Sequence, residues 1–512
     1  MRRFISALIL VFALLASASA ADSASKIIDR HKKATGGDAV KKIKNTTITG
    51  SLKTNDGATG HFTMQTFQPD RLRTDIEIGE AKFSECYNGK SAWRMDKTGL
   101  RTLLGNEVKR LRLEAALAAG RLRELSRSRV FPQTVTKATV DGREAMAIDF
   151  AKDEAKVKLF FDAKTNLIIK QERETSAGTE EIFYSEYRAV DGVQEPFAIR
   201  IKNGATEFTV TVDKVEHNRL TDETAFRYPQ RENEKPLPNV ETLIKAVVAN
   251  QEKIGEIREQ YTFRQTETQN KLDDKGRIKE SEVRVSEVTP VAGVFVERLI
   301  SVNGKPLSAK DQEDEDRKVE KAVERALKNK EKRLNEKRDG RNRVNDDDPY
   351  EDRSVTILSI LKLSEVTSMR REMFQGHEVI AFDFEPKKGA KPKSRIETIV
   401  TKLAGTMWVD EEAQQIVRVE ARLTDRFKIG GGLFASVSPS TAVALEQAKV
   451  NDEVWMPSYA EANFAARIML FAKFNRSVTT RYSDYKKYSI DNRYELTKPK
   501  TEKPAEKTSS NQ

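Results

Sequence analysis

The chain has one cysteine, Cys86, in 512 residues, so no internal disulfide can hold it together and its stability has to come from packed cores. Its neighbours Phe83 and Tyr87 place that thiol in a strand, where it reads as a buried, inert side chain. Four histidines stand apart at His31, His61, His217 and His377, with no pair at metal-ligand spacing. Metal catalysis is not expected, and no cofactor is implied. No Gly-x-Ser-x-Gly elbow and no phosphate-binding loop occur. Gly430-Gly431-Gly432 is followed by neither Lys-Ser nor Lys-Thr and reads as a bulge or loop. Asp346-Asp347-Asp348 lacks the alternating ligands, central glycine and distal glutamate of a calcium loop, and reads as a solvated loop. Among 79 Asp and Glu residues a pair of carboxylates at any chosen spacing carries no information, and the sequence nominates no catalytic group.

Charge of one sign is lacking too. The chain is +11, and Arg2 and Arg3 account for two of those charges, which leaves +9 on residues 21–512. Basic and acidic residues interleave almost everywhere, the pattern of a solvated surface, so no nucleic-acid partner is expected; attraction to anionic lipid head groups stays open. Long apolar runs are absent except at the start, where Met1, Arg2 and Arg3 precede an apolar stretch from Phe4 to Ala16, broken only by Ser6, and then Ser17-Ala18-Ser19-Ala20. A basic region, a short apolar core and small residues at Ala18 and Ala20 are the parts of a cleavable signal peptide over residues 1–20, with Ala21 as the expected mature N-terminus. No cysteine follows to carry a lipid anchor, and no later run approaches the roughly 20 residues of a membrane helix. The expectation is a soluble periplasmic or secreted protein.

A mature chain of about 490 residues exceeds what one core usually serves. Residues 229–239 hold three prolines and almost nothing apolar, which marks a linker over 230–239 between domains at 21–229 and 240–496. Residues 497–512 are Lys, Pro, Thr and Ser without an apolar period and are expected to be disordered. The halves carry related patterns in the same order. Asp141-Gly-Arg-Glu-Ala-Met-Ala-Ile-Asp-Phe150 matches Gln375-Gly-His-Glu-Val-Ile-Ala-Phe-Asp-Phe384, Phe160-Phe161-Asp162 answers Trp408-Val409-Asp410, and Val190-Asp191-Gly192 answers Val450-Asn451-Asp452.

Each half alternates apolar and polar residues over short stretches, as in Phe208 to Val212 and Val417 to Leu423, joined by turns such as Asn88-Gly89 and Asn203-Gly204. That predicts antiparallel meanders. Helices are expected over 23–34, over about 103–125 with the stripe Leu104, Val108, Leu111, Ala115, Ala118 and Leu122, and over about 240–258. A charged helical insertion is expected over about 308–363, capped by Ser308 with Asp311, and its last part, with Leu358, Ile360, Leu361 and Leu363, is greasy enough to plug a cavity. The fold class is α+β, mainly antiparallel β, with helices laid over the apolar face of each sheet.

The opening helix, meander, mid-domain helices and signal peptide together resemble the periplasmic lipoprotein-sorting carriers, the LolA/LolB-like fold, in two tandem copies. Ala34-Thr35-Gly36-Gly37 and Ile48-Thr49-Gly50 carry the likeness in the first copy. The second copy resembles an uncharacterised family of bacterial exported proteins through Phe382-Asp383-Phe384-Glu385-Pro386, Leu403 to Asp410, Lys428 to Leu433 and Tyr482-Ser483-Asp484-Tyr485. The resemblance implies two curved, incomplete β-barrels covered by helices, each able to shelter acyl chains. Function on this ground is an argument from fold alone. By strand alternation the cavity-lining residues are expected to be Phe62, Met64, Leu72, Ile76, Ile148 and Phe150 in the first copy, and Phe382, Phe384, Val417 and Val419 in the second. Two readings follow. One is a non-enzymatic carrier for a lipid, a lipoprotein acyl chain or another apolar ligand. The other is a structural or interaction protein of the cell envelope, with helix-filled barrels and a membrane or membrane-protein partner.

Overall fold

The computed structural model describes residues 24–126, 128–152, 155–175, 178–230, 235–273, 278–338, 362–392, 395–429, 435–438, 441–468 and 472–487. Residues 1–20, where a signal peptide is expected, residues 497–512, Asp346–Asp348, Gly430–Gly432 and the apolar stretch Leu358–Leu361 lie outside them. The chain divides into two compact units, residues 1–234 with 372–376, and residues 235–371 with 377–512. Both are mostly antiparallel β.

The first unit opens with helix α1 (24–35) and the short α2 (Asp38–Lys41). Six strands follow: β1 (Asn45–Thr54), β2 (Thr59–Phe67), β3 (Arg71–Ile78), β4 (Ala81–Tyr87), β5 (Ala92–Asp96) and β6 (Gly99–Leu103). Helix α3 (Gly105–Gly120) crosses over, and the chain returns through β7 (Phe131–Val140), β8 (Arg143–Lys152), β9 (Ala155–Asp162), β10 (Ile168–Thr175), β11 (Gly178–Val190), β12 (Val193–Asn203) and β13 (Thr206–His217). The sheet runs β6 to β1, then β13 down to β7, so the last strand returns to pair with the first, while β6 and β7 form the two ends.

The second unit repeats the plan. After α4 (Val240–Arg258) come β14 (Tyr261–Leu272), β15 (Ile278–Val291), β16 (Val294–Val302) and β17 (Lys305–Pro306), then the long helix α5 (Ala309–Arg338). The return runs through β18 (Ser364–Phe374), β19 (His377–Pro386), β20 (Leu403–Asp410) and β21 (Gln415–Leu423), with α6 (Arg395–Val400) between β19 and β20. The short β22 (Phe427–Ile429) and β23 (Ala435–Val437) pair with each other, and β24 (Ala442–Val450), β25 (Val454–Ile468) and β26 (Ala472–Lys487) finish the meander. Here β26 pairs with β14, as β13 pairs with β1.

The matched sequence segments occupy matching turns. Asp141-Gly142 joins β7 to β8 and Gln375-Gly376 joins β18 to β19, and all four residues have positive φ, the backbone of a two-residue hairpin turn. Asp162 and Asp410 each accept two backbone N–H bonds from the turn that follows, 2.9 and 2.8 Å from Lys164 and Thr165, 3.0 and 2.8 Å from Glu412 and Ala413. The break after α1 needs glycine: at Gly36, φ is 139°, and a Cβ there would lie 2.4 Å from the Gly192 carbonyl oxygen in the β11–β12 turn.

Helix α3 is shorter than its apolar stripe suggests. It stops at Gly120 because Arg121 and Leu122 take left-handed conformations (φ 48° and 55°), and the Arg121 N–H closes the end on the Ala118 carbonyl. Both sides of the helix are buried. Leu111 and Ala115 pack with Leu72, Tyr87 and Leu103, while Leu113, Ala116 and Leu117 pack with Ala24, Ile27 and Ile28 of α1 and with Ile148, Phe150 and Phe161. Helix α3 touches β2 to β5 on one arm and β8 to β10 on the other. Strands β4 and β9 are eight places apart in the sheet, about 38 Å at the usual strand spacing, yet both meet a helix about 10–12 Å across. The first sheet therefore bends round α3.

A candidate ligand cavity in the first unit

The bend leaves space between α3 and the strands. A cavity of about 630 Å³ is lined by β1 to β5, β9 to β13, α1 and α3. Its apolar wall is set by register. Phe62 faces Ile76 across β2 and β3, Met64 lies between Ile48 and Thr74, and Ile182 faces Ile201, which faces Phe208. Period-2 alternation brings Ile48, Phe62, Met64, Leu72, Ile76, Ile182, Ile199 and Ile201 to this one side.

Four of the expected lining residues, Phe62, Met64, Leu72 and Ile76, stand on this wall. The other two of the first half do not line it: Ile148 and Phe150 are fully buried in the core that seats α1. In the second unit Phe382 and Phe384 are fully buried against Leu243, Ile244 and Val247 of α4. The expected alternation of Val417 with Val419 is interrupted. A register shift between Trp408 and Val409 pairs Val409 with Ile416, so Ile416 and not Val417 joins Val419 at that core. Val417 is fully buried.

Alternation did not reveal the polar part of the wall. A run of ion pairs crosses from one arm of the sheet through α3 to the other. Arg101 and Arg94 hold Glu107 at 2.9 and 3.3 Å, and Arg94 also pairs with Glu85. Arg110 of α3 reaches Glu85 on β4 at 3.0 Å and Glu114 one turn on at 2.8 Å. Glu114 pairs with Arg173 on β10, which donates to Glu180 on β11 at 2.6 Å. Signs alternate along the whole run. Burial alone would raise the pKa of Glu85, but Arg110 and Arg94 outweigh it and hold the carboxyl at about 2. Glu107 is held low in the same way by Arg101. Below α3, Glu195 accepts from Arg121 at 2.8 Å and meets His217 at 2.9 Å, and those two partners overcome burial to keep its pKa low.

His31, on α1, lines the cavity edge with its ring across Phe161 and Nδ1 2.9 Å from the Asn166 carbonyl. Burial is the main cause that depresses its pKa to about 4. The folded state therefore refuses a proton that the unfolded chain accepts near 6.5, and the stability this confers is complete above that value and lost as pH falls toward 4. Between pH 6.5 and 5 the loss is expected to be about 1.5 kcal/mol. Melting curves at both pH values should show it in the natural protein and show much less in His31→Gln; equal losses in both would exclude His31 as the cause.

Cys86 is fully buried beside the Phe226 carbonyl, and burial pushes its thiol pKa up. Among the described residues no cluster of three or more His, Cys, Asp or Glu side chains could hold a metal ion, and no helix is long and apolar enough to cross a membrane.

No family model matches the chain, and no curated protein matches it. Among solved structures, the crystal structure of MucB in complex with MucA(peri) aligns at 9% identity over 91% of this chain and 99% of that one, with a TM-score of 0.17. PNGF-II aligns at 8% identity over 45% of this chain and 44% of its own, with a TM-score of 0.12. The Caulobacter crescentus pol III beta aligns at 13% identity over 53% of this chain and 81% of its own, with a TM-score of 0.11. At such scores none of these likenesses bears on function.

Proposed function

We propose that this chain is a non-enzymatic binding protein of the cell envelope, built as two tandem open half-barrels, and that the first of them shelters an acyl chain or a similar apolar molecule. The observation that carries this is the cavity of about 630 Å³, whose apolar wall is formed by Ile48, Phe62, Met64, Leu72, Ile76 and Ile182, a volume within the range of small-molecule sites. Each buried CH₂ contributes about 0.8 kcal/mol, so such a wall binds a chain without any reactive group. The lining carboxylates Glu85, Glu107 and Glu195 are committed to arginines and held ionised, which suits a fixed scaffold and not a poised acid. The second half-barrel, where Phe382 and Phe384 are covered by α4, is assigned the structural role.

The test is uptake of a fluorescent fatty acid by the mature protein. We expect saturable uptake at one site, and Ile76→Trp, which puts an indole into the cavity from a partly exposed position, should weaken it at least tenfold with little change in melting temperature. Absence of uptake by the natural protein, together with no lipid in a gently purified sample, would overturn the proposal.

A further inference from the structure

Helix α5 has its charges sorted around its axis as well as along it. Ser308 caps its start, donating to the Asp311 carboxylate at 2.6 Å and accepting the Asp311 N–H at 3.2 Å. One side faces the sheet: Arg298 of β16 pairs with Asp316, the Leu299 N–H donates to Glu315 at 2.9 Å, Val319 and Val323 are half-buried, and Ala326 is buried. At 100° per residue the opposite side carries Lys310, Arg317, Lys321, Arg325, Lys328 and Lys332 within a sector of about 80°. All six are exposed. Asp314, paired with Arg317, is the one described acid inside the sector, and the described acids beyond Asp316, namely Glu320, Glu324 and Glu331, stand together on one flank. Complementing the helix dipole explains acids at the start and bases toward the end. It does not explain why six of the eight described bases share one outward face, with Lys318 about 20° beyond its edge and Lys330 alone on the sheet-facing side.

From this geometry we infer that the outward face of α5 docks on an anionic phospholipid surface. The stripe is straight and about 33 Å long, a shape that fits an extended plane of negative charge better than a pocket. No aromatic or large aliphatic side chain lies within it, so it lacks the buried anchors on which a protein interface depends, and nothing in it would insert among acyl chains. Binding is therefore electrostatic, at the head-group level, and weakens as salt is raised. The inference is independent of the cavity, because a protein that carries nothing could still dock this way.

The experiment is co-sedimentation of the full mature chain with phosphatidylcholine vesicles, with and without phosphatidylglycerol. We expect binding only to the anionic vesicles, lost at high salt. Lys321→Gln/Arg325→Gln/Lys328→Gln/Lys332→Gln should weaken it at least tenfold. Removing four exposed lysines elsewhere, Lys53, Lys137, Lys164 and Lys214, should weaken it less than threefold, and circular dichroism should show α5 intact in both variants. Equal losses in the two variants, equal binding to neutral vesicles, or binding to duplex DNA or an acidic polypeptide but not to anionic vesicles would each overturn the inference.

Discussion

Arg110→Met is expected to destabilise the first unit by about 3 kcal/mol, because it leaves Glu85 and Glu114 with one arginine each in a site where all three side chains are at most 10% exposed. For a unit of this size that lowers the melting temperature by roughly 6–12 °C. The double variant Arg110→Met/Glu114→Leu should be the more stable of the two. Removing adjacent members of opposite sign keeps the remaining run neutral, with Glu85 on Arg94 and Arg173 on Glu180. Buried ion pairs replaced together by apolar groups are often neutral in stability, whereas half a pair is costly. Differential scanning calorimetry of both variants decides the point. If the double variant melts below Arg110→Met, the alternating run is not what holds α3 between the two arms.

The sheets could be read in the sequence because strand period, hairpin turns and the duplicated pattern are local signals. The Asp141-Gly142 and Gln375-Gly376 hairpin turns, the Asp162 and Asp410 turns and the Ser308 cap all sit where residue chemistry places them. The lining of the first cavity was legible for the four residues on neighbouring strands β2 and β3, where alternation runs unbroken through a single hairpin. It was not legible for Ile148 and Phe150, because alternation says which residues share a face and not what covers that face; here α1 does. Val417 was hidden for another reason: a bulge shifts the phase within one strand, and nothing local marks it.

The ion-pair run was the least visible part of the site. Glu85 and Arg110 are 25 residues apart, and Glu114 and Arg173 are 59 apart. In a chain with 90 basic and 79 acidic residues, which of them are buried depends on how the sheet closes round α3. One clue was present. Arg110 and Glu114 stand at i,i+4 on a helix whose other residues around them, Leu111, Leu113, Ala115, Ala116 and Leu117, become buried on both sides. A charged pair within a helix that is apolar on two sides has to find partners inside.

The same reasoning separates the wall of the cavity from the core behind it, and Ile148→Asp and Met64→Asp should therefore behave differently although both put a carboxylate on the concave side of the first sheet. Ile148 is fully buried opposite Leu159 and packed in the cluster formed by α1 and α3, so an aspartate there has no water and no partner. The lost packing and the stranded carboxyl together cost about 4–5 kcal/mol, comparable with the whole stability of a marginal domain. We expect the first unit of Ile148→Asp to be unfolded or to melt more than about 10 °C early. Met64 is only half-buried, its neighbours across the strands are Ile48 and Thr74, and its side chain meets the cavity. An aspartate at that position can draw water in and remain hydrated, so Met64→Asp should cost only about 1–2 kcal/mol. Its effect should fall on binding instead, because a charge in the middle of an aliphatic wall removes the surface on which an acyl chain would lie, and uptake of the fluorescent fatty acid should drop at least a hundredfold. If Met64→Asp melts as early as Ile148→Asp, and the natural protein takes up no fatty acid, then the space beside β2 and β3 is a closed core and the carrier reading fails with it.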